Sequence, residues 1–174
     1  AQGGVTAGTV SGYSGARGSM VRGRSVTTNG AGGATAVSGM AVHGAQGGYG
    51  ARAGTTTVGA DGSVTHRSGL SATSAQGSTV QSSGSATRNA DGTVSQSRTT
   101  NATNAVTGKT VNSSTSYSNS TGLTHSATCY DASGGQRLFD QADSCADGGR
   151  ACQSRTGQNA LFRTAPLQKR SNQL

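Results

Sequence analysis

The chain has no Trp, a single Pro and no Glu; its six acids are all Asp. Aromatic residues make up 3% of it and hydrophobic residues 30%. So small an apolar share excludes an ordinary packed core. No run approaches the ~20 apolar residues that span a bilayer as a helix. Without Glu, paired-carboxylate chemistry would need two Asp. The best pair, Asp140 and Asp143, lies in a Cys-bearing stretch and reads as solvated or capping residues. The histidines His43, His66 and His125 are far apart and match no metal spacing; they read as strand-face residues. There is no Gly-x-Ser-x-Gly elbow, and Gly44-Ala45-Gln46-Gly47-Gly48 lacks the helix and the Lys-Ser/Thr of a phosphate loop. The expectation is a protein that is not an enzyme and holds no cofactor or metal.

What the chain does contain is Gly, Ser and Thr in a repeat. Ala-x-Gly recurs about every 15 residues, as Ala45-Gln46-Gly47, Ala60-Asp61-Gly62, Ala75-Gln76-Gly77 and Ala90-Asp91-Gly92. Weaker copies follow at Val106-Thr107-Gly108 and Ser120-Thr121-Gly122, and earlier ones lie at Ala1, Ala16 and Ala31. The glycines from Gly62 to Gly122 are 15, 15, 16 and 14 residues apart. Gly, Ser, Thr and Asn are poor helix formers and no 3.6-residue stripe is present, whereas Thr and Val favour strands. Gly47, Asp61, Gly62, Gln76, Gly77, Asp91, Gly92, Gly108 and Gly122 are therefore the expected turn residues.

The fold class that follows is all-β, a long antiparallel meander or hairpin array of ~15-residue repeats, with a β-solenoid as the alternative. One strand and a short turn per repeat leaves about 12 residues between turns, or strands of roughly 40 Å. After Gly62, alternation puts Val64, His66, Ser68, Leu70 and Ala72 on one side and Thr65, Arg67, Gly69, Ser71 and Thr73 on the other. Two-residue hairpins would place Val64 and Val80 on opposite faces. One or two buried Val or Leu per repeat do not offset the entropy of fixing 15 residues, so order is expected mainly in an assembly.

Two regions are expected: an array over residues 1–122 and a Cys-containing module over 123–174. The second holds Cys129, Cys145 and Cys152, whose spacing is not a zinc signature. Pairing Cys145 with Cys152 or Cys129 with Cys152 are both open, and an odd Cys suits a bond between subunits. A short helix is expected over Gln136 to Cys145, and a basic, amphipathic docking segment over Ala160 to Leu174.

Net charge is +8. Arg52, Arg67, Arg88 and Arg98 are scattered singly, which reads as solubility and edge protection rather than a nucleic-acid face. Nucleic acid is not expected as a specific partner; polyanionic matrix is a nonspecific one. The opening Ala-Gln, without Met, suggests a mature secreted chain.

Gly-bounded β repeats, few aromatics and this start resemble, in architecture, the secreted repeat subunits of bacterial fibres, the curli and Fap functional amyloids. Here Gln76, Gln81, Asn89, Asn101, Asn104 and Asn112 do not fill equivalent repeat positions, and the Cys tail is not part of that pattern. The resemblance implies a homopolymeric extracellular filament or biofilm-matrix fibre. The alternative is a surface-binding β-repeat protein for polysaccharide or ice. Thr55-Thr56-Thr57 and Thr99-Thr100 suggest a hydroxyl face, yet no Thr-x-Thr face repeats in register along the sequence.

Overall fold

The computed structural model describes residues 3–138. They form one antiparallel sheet of ten strands whose spatial order is their chain order. The strands are β1 (Thr6–Gly15), β2 (Gly18–Thr28), β3 (Ala34–Gly44), β4 (Tyr49–Val58), β5 (Val64–Thr73), β6 (Thr79–Arg88), β7 (Val94–Thr103), β8 (Thr110–Ser118), β9 (Gly122–Tyr130) and β10 (Gln136–Leu138). The fold is therefore the all-β meander, and not a solenoid. Nine strands run 9 to 11 residues and the tenth runs three. β5, at 10 residues, is two short of the 12 residues between turns because Ser63 and Ser74 at its ends close the flanking loops through backbone bonds.

The turns explain the repeat. Between β5 and β6, Thr73 pairs with Thr79. The Ser74 amide donates to the Ser78 carbonyl at 2.8 Å, and the Gly77 amide donates to the Ser74 carbonyl at 2.9 Å. The loop proper is three residues, Ala75-Gln76-Gly77, with Gly77 at φ 83°. This is the hairpin in which a turn is followed by one left-handed residue. The same pair of backbone bonds closes Gly59 to Ser63 around Ala60-Asp61-Gly62, and Asn89 to Thr93 around Ala90-Asp91-Gly92. Gly62 and Gly92 sit at φ 82° and 84°, a region that costs any residue with a Cβ about 1–2 kcal/mol. Gly47, Gly108 and Gly122 are also at positive φ, at 93°, 65° and 71°. The β7–β8 reversal holds one residue more, closed by Asn104 to Lys109, which accounts for the 16-residue step before Gly108.

An odd loop corrects the face assignment. Val80 pairs with Ala72, which is on the Val64 side of β5, so Val64 and Val80 share a face. The two-residue turn that would have separated them is not the one formed. Two further expectations on the C-terminal region change. The sheet does not stop at 122: β9 pairs along β8, and Gln136–Leu138, expected to begin a helix, pairs with Thr128 to Tyr130 instead. An Asp131 turn drives this reversal, its carboxylate accepting the amides of Ser133 and Gly135 at 3.0 and 2.8 Å. Cys145, Cys152, Asp140, Asp143 and Ala160 to Leu174 lie outside the described residues.

The sheet is a single layer. Among the described residues no hydrophobic side chain is buried, and the one buried polar residue is Ser82, at 8% exposure. Cohesion comes from the ladders and from cross-strand side-chain pairs, not from an interior.

Candidate functional site

Directly paired residues project to the same face of a sheet. Across β2 to β7 every strand-to-strand register joins odd positions to odd and even to even. Parity is thus conserved over six strands, and it sorts the side chains into two chemically different faces.

On the first face, pairing runs Thr6, Thr27, Thr35, Thr57, Thr65, Thr87, Ser95 and Ser118 in one unbroken row. A second row near the other end runs Thr73, Thr79, Thr103 and Thr110. The in-register threonine face that the sequence did not reveal is therefore present. Its repeat is a mirror through each hairpin, not a translation along the chain, so equivalent threonines are unevenly spaced in sequence. Neighbouring strands set the hydroxyls roughly 4.8 Å apart along a row, and alternate residues set rows roughly 7 Å apart. Several hydroxyls bond across the strands on this face: Thr6 to Thr27 at 3.0 Å, Ser83 to Thr99 at 3.1 Å, Ser114 to Ser126 at 2.8 Å and Ser116 to Thr124 at 2.6 Å. Arg67, His43 and Tyr49 are the charged or titratable side chains here on β2 to β7.

The opposite face carries Arg22, Arg24, Arg52, Arg88 and Arg98, with His66 and His125. Scattered in sequence, these arginines are gathered by parity, which corrects the expectation of dispersed charge. Arg22, Arg24, Arg52 and Arg98 line an open groove of about 940 Å³ together with Met20, Met40 and Leu70. Part of its floor is bare backbone at Gly23, Gly39, Gly54 and Gly69. Two arginines are pinned: Arg22 Nε donates to Ser11 Oγ and Arg98 Nε to Ser82 Oγ, each at 3.0 Å. Ser82 Oγ donates to the Thr99 carbonyl at 3.0 Å, so the Thr100 hydroxyl, 2.9 Å away, donates to Ser82. His66 Nδ1 and His125 Nδ1 each lie 2.8 Å from a threonine hydroxyl across the strand, Thr56 and Thr115. No group of His, Cys, Asp or Glu among the described residues has the geometry to hold a metal.

The described acids are kept off both faces. Asp61, Asp91 and Asp131 all sit in turns. Ser63 Oγ donates to the Asp61 carboxylate at 2.7 Å and the Ser63 amide does so at 2.9 Å. Thr93 repeats this at Asp91, at 2.7 and 2.8 Å. These bonds, the hydroxyl one foremost, hold both carboxyls below the ordinary aspartate range. Gln76 occupies the position in its loop that Asp61 and Asp91 occupy in theirs. Cys129, on β9, is half-buried and pairs in register with Val111.

The edges complete the picture. Among the described residues β1 pairs only with β2, and all ten of its residues are exposed. Its sequence, Thr-Ala-Gly-Thr-Val-Ser-Gly-Tyr-Ser-Gly, carries no charge and no proline. Edge protection by charge, expected from composition, is thus missing where an edge needs it. No helix among the described residues is long and apolar enough to cross a membrane. Comparison with known protein families, curated proteins and solved structures gave no match.

Proposed function

We propose that this protein is the subunit of a secreted, extracellular homopolymeric filament, a structural protein without catalytic activity. The observation that carries this reading is the single-layer sheet without a buried hydrophobic side chain among the described residues. Nine strands about 4.8 Å apart and about 34 Å long give each face roughly 1,500 Å². A stable interface needs only about 800 Å² from each partner. Covering one face with a second copy is therefore enough to supply the missing layer.

The threonine face is the one that packs on its copy. Facing arginine surfaces would oppose Arg22, Arg24, Arg52, Arg88 and Arg98 to their own copies, whereas the threonine face brings Arg67 alone from β2 to β7. Face-to-face packing closes on itself, so growth needs a second contact. The uncharged β1 edge provides it. Because the described strands number ten, β1 and β10 run in opposite directions, and a copy added in the same orientation with its β1 against β10 pairs antiparallel.

The test is electron microscopy of the full-length protein beside a Thr9→Lys, Ser11→Lys variant. Both changes charge the β1 edge on the arginine face. Filaments from the parent and only short or discrete particles from the variant are expected. Discrete particles from both, or equal filaments from both, would overturn the reading.

A second reading has its own observation. The in-register threonine row presents a flat, regular hydroxyl array, as a protein adsorbing to crystalline polysaccharide or ice would need. It predicts that Thr57→Val and Thr87→Val abolish adsorption while leaving assembly intact.

A further inference from the structure

The arginine face is the least expected product of the fold, and filament formation leaves it unused. We infer that its groove is a binding site for a linear polysaccharide bearing carboxylates. The inference rests on the filament reading only in that the arginine face is taken to point outward.

Four features of the groove select this ligand. First, its charge is of one sign: Arg22, Arg24, Arg52 and Arg98 line it, and the described acids Asp61, Asp91 and Asp131 lie in turns. Guanidinium is the group that matches a carboxylate with two parallel hydrogen bonds. Arg22 and Arg98 are pinned through Nε, which leaves their terminal nitrogens to face a ligand. Second, the hydroxyls of Ser38 and Ser68 stand in the row between Arg24 and Arg98, those of Thr9 and Ser11 flank Arg24 and Arg22 on β1, and all four match sugar hydroxyls. Third, Met20, Met40 and Leu70 offer apolar surface to the C–H faces of sugar rings. Fourth, the groove holds no Phe, Tyr or Trp and only one imidazole, His66, already held against Thr56, whereas single-stranded nucleic acid binding relies on successive aromatic platforms for its bases.

The spacing is also that of a polymer. Arg22 and Arg52 sit in one cross-strand row two strands apart, roughly 9–10 Å between backbones. That is about the length of two hexose units. Arg24 and Arg98 lie in the adjacent row, five strands apart. A chain laid across the strands thus passes successive guanidiniums. In a filament that repeats the sheet edge to edge, the grooves line up and one polysaccharide spans several subunits, so binding gains from multivalency.

The experiment measures binding of full-length protein to immobilised polygalacturonate, to a neutral glucan and to duplex DNA, at several salt concentrations. The parent is compared with an Arg22→Gln, Arg24→Gln, Arg52→Gln, Arg98→Gln variant and with Arg67→Gln on the opposite face. Filaments are counted in parallel, so that a failure of assembly is separable from a failure of binding. Expected are salt-sensitive binding to polygalacturonate, little to the neutral glucan, and a loss of about tenfold or more in the fourfold variant. Compared at equal filament mass, Arg67→Gln should stay within about twofold, as a single charge outside the site. Equal losses in the two variants would overturn the inference, as would tighter binding of DNA than of polygalacturonate. Because the four arginines are exposed, the fourfold variant should keep its β circular dichroism. If it does not, Arg22→Gln with Arg52→Gln alone replaces it and is held to the same ratio against Arg67→Gln.

Discussion

A lysine placed at Thr57 separates the two faces of the sheet as no composition change can. Thr57 is exposed and stands in the middle of the threonine row, between Thr35 and Thr65. In an isolated sheet Thr57→Lys projects into water, and such surface changes stay within about 0.5 kcal/mol. In a pair of sheets stacked through their threonine faces, layers lie about 10 Å apart. The ammonium is then held in a layer of hydroxyls and small residues, with no acid of the described residues on that face to meet it. Desolvating an unpaired ion costs several kcal/mol even after relaxation. Taking about 3 kcal/mol per subunit, the critical concentration for assembly should rise roughly 150-fold, since about 1.4 kcal/mol is tenfold.

The control is Gln96→Lys, an exposed position on the arginine face of β7. It adds the same charge to a face that already carries arginine, so its critical concentration should move by about threefold at most. Sedimentation of a concentration series gives both numbers, and electron micrographs of the pellets show whether the material is filamentous. If the two variants shift equally, assembly does not discriminate between the faces and the stacking argument fails. If Gln96→Lys has the larger effect, the arginine face is the buried one, and the ligand groove inferred for it falls as well. Arg67 supplies a complementary change. It is the charge on the threonine face of β5, so Arg67→Ser should lower the critical concentration.

Other consequences follow from single residues. Gly92→Ala should destabilise the sheet by about 1–2 kcal/mol through its backbone alone, because an added Cβ meets nothing within 4 Å. Hydrogen exchange of the β6–β7 hairpin would show this, and an unchanged protection pattern would refute it. Ser82→Ala removes the acceptor of Arg98 Nε and a bond to the Thr99 carbonyl. About 1 kcal/mol of stability should go with it, together with part of the polygalacturonate affinity, since Arg98 is no longer held over the groove. Acid should loosen the turns. The Asp61 and Asp91 carboxyls are lowered in the folded state. Their contribution is therefore complete above the ordinary aspartate pKa of about 3.9 and is lost as pH falls through the lowered values. Thermal melts at falling pH should be flat down to about 4 and then decline. In an Asp61→Asn, Asp91→Asn variant the decline attributable to these turns should vanish.

How the sequence encodes this sheet is visible in particular residues. The turn glycines were legible because a left-handed position in a hairpin demands glycine, and Gly62, Gly77 and Gly92 announce themselves at a constant interval. The two sides of β5 were legible too, since alternation within one strand needs no knowledge of its neighbours. Relations between strands were not. They depend on whether a loop holds two residues or three, and a difference of one residue exchanges the faces. Val64 and Val80, the Thr57–Thr65–Thr87 row and the Arg22–Arg52 row all turn on that one residue. The signal was present in the pattern x-Ala-x-Gly-x. Here the residue before Ala and the one after Gly pair through a backbone bond, as Ser74 and Ser78 do, which makes the loop three residues long.

The same arithmetic gives a reason for the low hydrophobicity. A sheet that must bury one face in a core needs large apolar residues there, and its other face is then simply the polar outside. With three-residue loops at 15-residue steps, parity is preserved from Gly18 to Thr103 without a core to enforce it. Selection on either face then acts on odd or even positions alone. A threonine replaced at 57 leaves the arginine row untouched, and an arginine replaced at 52 leaves the threonine row untouched. A packing surface and a ligand surface can therefore be tuned independently along one chain. What that freedom requires is that the loops stay odd. An insertion of one residue into Ala75-Gln76-Gly77 should carry Val80, Ser82 and the rest of β6 through β9 to the opposite side, placing Arg88 and Arg98 among the threonines. Such a variant should keep its hairpins by circular dichroism and lose both filament growth and polygalacturonate binding. A variant that retains both would show that the sidedness argued here is not what the two surfaces depend on.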